Sequence, residues 1–428
     1  MSRLHKILRG KDEDEWISYE YSMACTISVP GHGQVTMNGA QIQGLWLEKD
    51  YDNDNLPVIM IDLMINQEWD KHIRDAKDKA IFTFTLKKHK IDHDDYGPSV
   101  KFKKSTVISD RFIPIITDDS PIVEEKLRNK IKEKDGYTKD EFIQADSRNR
   151  YTYILVKKKD MESVRKIVNA VITEADMTSI LALALSEAKC TNVLMSNLDN
   201  TTTFKEFKLL PMPLLTNLQY INTYYGLHKE GTQIFFDTDT TYINRMNGKC
   251  TAWRKREPKK IVFYLHDSSE DNDRIAKGSI VDEDTVYYII DQKEFTLNNT
   301  KMVTDQVIGD NSLILGSGKD AFLQTFANAG GENTDIKVAS GHNPYIGNQV
   351  AIRKEEAKWV VTMVCSDTDI TYLTPNKQYT IITDTTKYAD DIKGNYRLCR
   401  VVTNFIRGDI YFNPLTLIEL RKVPNPVN

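Results

Sequence analysis

Few residues in this chain have the types and spacing that chemistry needs. His89-Lys-Ile-Asp92-His93-Asp94-Asp95 is the one cluster with metal-like content, since imidazole and carboxylate together suit zinc or manganese. It follows a strand-like run and adjoins Gly97-Pro98, so it reads as a solvated hairpin turn. A metal-assisted hydrolase using His89, Asp92, His93 and Asp95 stands as the enzymatic alternative. Leu315-Gly-Ser-Gly-Lys319-Asp320 has the outline of a phosphate loop, but Leu313 stands where its first Gly belongs and Asp320 where Ser or Thr belongs. An Asp there would repel phosphate, so the segment reads as a turn. Trp253-Arg-Lys-Arg-Glu-Pro-Lys-Lys260 is basic with one aromatic, yet no second basic stripe accompanies it. A solvated loop or a subunit contact explains it better than nucleic acid. No nucleophile elbow, H-E-x-x-H helix or Gly-rich dinucleotide turn occurs. No catalytic, metal or cofactor-binding residue is therefore assigned, no cofactor is expected, and the chain reads as a structural or interaction protein rather than an enzyme.

Composition points the same way. The 428 residues carry 57 Lys+Arg against 61 Asp+Glu, a net charge of −4, which does not favour a protein that grips phosphates. With 13 Pro, 20 Gly and 5 Cys, collagen-like, low-complexity and disulfide-scaffold classes fall away. Cys25, Cys190, Cys250, Cys365 and Cys399 are far apart and read as reduced packing residues. The densest apolar runs, Val58–Ile65, Ile180–Leu185 and Trp359–Cys365, fall short of the ~20 residues a membrane-spanning helix needs, so no membrane insertion is expected. The N-terminus lacks the apolar core of a signal peptide. The length suggests about two to four domains.

The elements that would position such residues are mostly β. Val58–Ile65 is apolar on both alternating faces except at Asp62, as in a strand covered on both sides. Phe82, Phe84 and Leu86 alternate with Thr83, Thr85 and Lys87, a strand with one wet face. Trp69, Ile73 and Ala76 share one face of a short helix over Trp69–Lys79. The first ~115 residues thus form a small barrel or sandwich carrying one helix. Val123–Lys134 is a charged connector. Asp160 can cap a helix with Met161, Val164, Val168 and Val171 aligned, and Asp176 a second with Met177, Ile180, Leu181, Ala184 and Ala188, an αα unit. Pro213 opens a further helix, in whose first turn it is tolerated; Leu214, Leu218, Ile221 and Tyr225 share a face and Gly226 stops it. Gln233–Phe236 and Thr241–Ile243 read as strands around Asp237-Thr-Asp239-Thr. Strands are also expected at Lys260–Leu265, Thr285–Ile290, Leu313–Leu315, Trp359–Cys365, Gln378–Thr383, Tyr396–Thr403 and Leu415–Lys422. Two long polar loops, Asp267–Asp284 and Asn328–Asn348, interrupt the series, and Val423–Asn428 reads as a disordered tail.

Taken together, the helix ending in Tyr224-Tyr225-Gly226, the strand–Asp237-x-Asp239–Tyr242-Ile that follows it, and the early Gly44-Leu-Trp-Leu-Glu-Lys-Asp50-Tyr51-Asp…Leu-Pro-Val-Ile-Met-Ile-Asp-Leu-Met-Ile65 resemble the central baseplate hub proteins of tailed bacteriophages. The same fold begins their tail-associated lysins. The resemblance implies an α+β, mostly β chain with two tail-tube-like small β-barrel or sandwich domains plus α-containing peripheral domains. It places the first tube-like domain at 1–116, a discontinuous second at 209–248 and 356–428, and peripheral or lower domains at 117–208 and 249–355. It implies a homotrimer in the virion, made in the host cytoplasm, that adapts the six-fold tail tube protein to a three-fold central spike or tail lysin. Other baseplate proteins would be neighbours, and phage DNA would pass through the channel without specific binding. A peripheral baseplate role, as a wedge or distal tail protein, is the structural alternative. Asp50, Tyr51, Tyr224, Tyr225, Gly226, Asp237, Asp239 and Tyr242 are the expected fold or interface residues.

Overall fold

A computed structural model describes residues 18–94, 97–99, 105–115, 150–237, 239–246, 257–266, 278–299, 343–346, 349, 356, 359–383, 391–408 and 411–423. The first stretch is β1 (Ser18–Val29), β2 (Gly33–Met37), β3 (Ile42–Asp50), β4 (Val58–Met64), α1 (Gln67–Ala76), β5 (Ile81–Asp94), β6 (Gly97–Ser99), β7 (Ser105–Pro114) and β8 (Arg150–Lys157). A mixed stretch follows: α2 (Lys158–Arg165), β9 (Ile167–Asp176), α3 (Met177–Glu187), β10 (Asn192–Met195), β11 (Thr203–Pro213), α4 (Leu214–Tyr224), β12 (Thr232–Asp237) and β13 (Thr240–Arg245). The remainder is β14 (Lys260–His266), β15 (Ser279–Asp282), β16 (Thr285–Asp291), β17 (Phe295–Asn299), β18 (Trp359–Ser366), β19 (Gln378–Thr383), β20 (Asn395–Arg407) and β21 (Phe412–Lys422). The chain is α+β and mostly β.

Three apolar cores organise these elements. The first fills a strand path that returns on itself, β20-β3-β4-β8-β7-β5-β1-β21, closed by pairing of β20 with β21. Alternation explains its lining: Ile59, Ile61 and Leu63 of β4 and Phe82, Phe84 and Leu86 of β5 point inward, while Thr83 and Lys87 face water. On the other face of β4, Asp62 accepts hydrogen bonds from Arg150 and Thr152 of β8, which satisfies a carboxylate that strand burial would otherwise strand. α1 starts where the Asn66 side chain accepts from the Trp69 amide at 2.9 Å, and it buries Ile73 against this core.

The second core lies among β14, β16, β18, β19, β20 and β21 and includes Phe263, Tyr288, Tyr379 and Tyr396. β14 pairs in parallel with both β16 and β19. β20 and β21 serve both cores. The start of β20 pairs with β19, its later residues 400–405 pair with β3, and β21 pairs with β18 along most of its length and with β1 at Tyr21–Phe412. Tyr21 also donates a hydrogen bond to the Thr368 carbonyl and packs edge-on against Phe405. One hairpin is thus the common wall of two β units.

The third core is made by α2, α3, α4, the β9–β11 ribbon and the sheet β10-β13-β12. Here the expected αα unit is corrected. Val168 and Val171 lie in β9, not in a helix, because the β-branched run 167–173 pairs antiparallel with β11. Tertiary pairing overrides the helical spacing. Asp160 does not cap α2: Lys157 occupies the cap position without a side-chain bond, and Asp160 is buried in the first turn. Asp176 does cap α3, accepting from the Ser179 amide at 2.8 Å. Leu209–Pro213 is strand, and Pro213 is the cap residue of α4 rather than part of its first turn.

Each core draws on segments far apart in the chain. Tyr153 and Leu155 of β8 belong to the first core, Leu209–Ile243 contributes mainly to the third, and β14 and β16 help build the second. The polar stretch 267–284 contains β15, paired with β16. Val123–Lys134, Leu313–Leu315, Leu315–Asp320, Cys250, most of the Trp253–Lys260 run and 424–428 lie outside the described residues.

Candidate functional site

Five of the eight residues singled out from the sequence meet where the three cores join. Asp50 closes β3 by accepting from the Asp52 amide (3.1 Å), the Asn53 amide (2.9 Å) and the Asn53 side chain (2.8 Å), which folds the polar turn back on itself. That turn lies along the free edge of β12. Asn55 donates to the Ile234 carbonyl at 2.7 Å, and its own carbonyl accepts from the Phe236 amide at 2.9 Å. The turn therefore covers an edge strand that would otherwise present unpaired amides. Tyr51 inserts from it, with its ring edge-on to Phe235 at 4.4 Å and its hydroxyl donating to the Leu373 carbonyl of the second unit. Burial first, with nearby Asp237 adding to it, pushes the Tyr51 phenol well above its ordinary range. Tyr242 is buried opposite Phe235 in register.

Ion pairs join the same surfaces. Lys49 reaches Asp237 at 2.5 Å, and Lys157 lies 2.5 Å from Asp110 and 2.9 Å from Asp239, which Lys159 also contacts at 3.0 Å. Asp239 sits at φ 67, a left-handed position in the tight β12–β13 turn that Asp tolerates better than most residues. Burial opposes its ionisation, but the two lysines outweigh burial and hold its carboxyl below the usual range. For Lys157 burial alone would lower the ammonium; Asp110 and Asp239 raise it instead. Lys157 and Asp110 are marked by no motif, and Asp160 reads from the sequence only as a helix cap. Their signal in the sequence is slight, a lysine closing the apolar strand Tyr153–Val156.

The first and second units are tied by arginines that sequence reasoning also missed. Arg397 of β20 donates to Asp52 (2.5 and 3.1 Å) and to Glu356 (both bonds 2.9 Å), and is 4% exposed. Arg400 donates to Glu48 at 2.7 Å and Glu419 at 3.2 Å. The charges in the apolar run Tyr396–Phe405 were the available sign, since a buried charge has to be paired.

Tyr224, Tyr225 and Gly226 lie elsewhere, at the end of α4. Gly226 has φ 69, and a Cβ there would meet the Asn343 side-chain oxygen at 2.2 Å, so only glycine fits. Asn200 donates to the Tyr225 and Gly226 carbonyls at 3.0 and 2.9 Å. Tyr225 packs on Phe207 at 4.9 Å, while Tyr224 is half exposed. His228 follows, fully buried; burial first and then Arg245 lower its pKa to about 4.

Of the metal-like cluster, the side chain of His89 is the one described. The strand β5 continues through it, contrary to the expected strand end before His89. His89 is buried against Tyr411 with its Nε2 2.7 Å from Ser22 Oγ. Residues 92–94 pair with 97–99 across a hairpin, and Asp95 lies outside the described residues. Among the described residues no three His, Cys, Asp or Glu side chains are placed to share a metal ion. Nor is any described helix long and apolar enough to cross a membrane.

The chain belongs to the family described as bacteriophage PBS1 gene 109 protein, whose model matches residues 21–423. No curated protein matches it. Among solved structures it is similar to the tail protein from Neisseria meningitidis MC58, with 8% identity, 95% of this chain and 96% of that one covered, and a TM-score of 0.41. The prophage MuSo2 43 kDa tail protein from Shewanella oneidensis matches with 10% identity, 94% and 96% coverage and a TM-score of 0.39. The lidded Francisella PdpA-VgrG complex matches with 9% identity and a TM-score of 0.40, over 99% of this chain and 56% of that one.

Proposed function

We propose that this protein is a structural component of a phage tail, a hub that acts in three copies. Membership of a phage protein family supports a virion component. The observation that carries the hub reading is the pair of β units built on the one hairpin β20–β21. In this reading the units around the first and second cores are the tube-like pair, and the third core forms the peripheral part. Three chains would then present six β units to a six-fold tube and a three-fold face to a spike or lysin. The shared hairpin and its paired arginines would keep the two units in fixed relation, which a load-transmitting adaptor requires. The turn at Asp50–Tyr51 and the β12–β13 hairpin act within the chain here, holding the peripheral part against the tube-like pair.

Light scattering and averaged images test this. Three 49.2 kDa chains should give a particle of roughly 150 kDa, alone or once tube or spike protein is added. A chain that stays monomeric with both partners, or that averages off the tail axis, would instead be a wedge or distal tail protein.

A further inference from the structure

A cleft of about 310 Å³ opens where the three cores meet. One wall is apolar, with Leu47, Pro57, Ile59, Val107, Ile108 and Phe112. The other carries charge, and its lysines are already matched: Lys49 with Asp237, Lys157 with Asp110 and with Asp239, Lys377 with Glu257 at 3.0 Å. Asp160 is left over. It lines the cleft, is 7% exposed, and its Oδ2 has no hydrogen-bond partner. A buried carboxylate oxygen without a donor is destabilising, so its retention asks for a reason.

We propose that this cleft receives one basic side chain, an arginine or lysine presented by a partner polypeptide, with the alkyl stem on the apolar wall and the cation on the Asp160 carboxylate. The shape of the lining sets the class. An anion would find Lys49, Lys157 and Lys377 of the wall already ion-paired, and a divalent metal would need several carboxylates where Asp110, Asp237 and Glu257 are held by those lysines. A neutral apolar ligand would leave Asp160 as it is. A long amphipathic cation satisfies both walls at once.

The electrostatics agree. Burial raises the Asp160 pKa; Lys157 opposes this, Asp237, Asp239 and Asp110 add to it, and the carboxyl is pushed up to about 7. Lys49 and Lys159 are held by other carboxylates, and the neighbouring Cys190 thiol is itself raised by burial. A cation entering the cleft therefore displaces a proton from Asp160, and binding tightens as pH rises. From pH 6 to pH 8 the ionised fraction of a group at about 7 grows roughly ten-fold, and affinity should follow.

The inference does not depend on the tail role, since a monomer would keep the cleft. The test is calorimetric or NMR titration of the full chain with n-propylguanidinium, n-butylammonium and the neutral isostere n-propylurea at pH 6 and pH 8. One or both cations should bind, about ten-fold more tightly at pH 8, and the urea should not; the better cation tells arginine from lysine. Asp160→Asn should abolish both the binding and its pH dependence. Equal binding of urea and cation, pH-independent binding, or no saturable cation binding up to about 50 mM would overturn the proposal, given what a ligand of so few atoms can achieve. The wild-type comparisons hold even if the variant fails to fold.

Discussion

The charged junction at the shared hairpin and the one at the cleft are built differently. At the shared hairpin, each of two arginines lies between two carboxylates: Arg397 between Asp52 and Glu356, Arg400 between Glu48 and Glu419. At the cleft, lysines and aspartates alternate, and Asp160 has one oxygen without a partner. Arginine cannot give up its proton, and its planar fork binds carboxylates in fixed geometry. The first junction is thus permanently charged and fully paired. The second has a group that changes state near neutral pH. A joint between two rigid β units tolerates no ambiguity, whereas a joint that receives a ligand benefits from one unsatisfied group.

Removing the arginine should give the largest effect. Arg397→Leu takes the arginine from buried Glu356 and leaves Asp52 only the more distant Arg421, 3.7 Å away, and should cost about 3–5 kcal/mol in denaturant unfolding. Burial raises Asp52, but Arg397 outweighs it and holds the carboxyl below its usual range. Because that folded pKa is depressed, the Asp52 contribution is present at neutral pH and is lost only as pH falls through the ordinary carboxylate range and below. A loss of under 1 kcal/mol would mean that the hairpin is held by apolar packing alone.

The cleft should respond with the opposite sign. The raised pKa of Asp160 means that between about pH 4 and pH 7 the folded state binds more protons than the unfolded one, so this group's contribution weakens as pH rises through that window. Asp160→Asn, without ligand, should therefore stabilise the protein at pH 8 by about 2 kcal/mol, half the outer bound set by the shift, and by little at pH 5. Thermal melts at the two pH values would show it, and a variant less stable at pH 8 than wild type would erase the contrast between the junctions. The smallest effect belongs to Lys159, half exposed and sharing Asp239 with Lys157. Lys159→Ala should change stability by less than about 1 kcal/mol, with the difference vanishing in high salt.

Much of the β architecture is legible in the sequence. Strands β4, β5, β14, β16, β18, β19, β20 and β21 lie where apolar alternation or continuous apolar runs placed them, because side-chain period is a local property. The left-handed stop at Gly226 and the cap at Asp176 were local as well. β9 was not legible: Met161, Val164, Val168 and Val171 fit a helical face, and only pairing with β11 decides for strand. The candidate site was half legible. Asp50, Tyr51, Asp237, Asp239 and Tyr242 do come together, but Tyr224–Gly226 serve a different contact. Of the residues that give the cleft its charge, Asp110 and Lys157 carry no motif and Asp160 carries only a capping signal that the structure does not use.

By itself, then, the sequence determined which segments could be buried and on which face, since that follows from the order of apolar and polar side chains within a few residues. It also determined the shortage of chemistry-bearing motifs and the family resemblance. Only the tertiary structure decided that one C-terminal hairpin walls two β units, and that the turn after β3 covers the edge of β12. It alone decided that Asp160 is buried beside the cleft with its Oδ2 lacking a hydrogen-bond donor. Those outcomes depend on contacts between residues tens to hundreds of positions apart, where loop-closure entropy must be overcome by burial and pairing that no local pattern records.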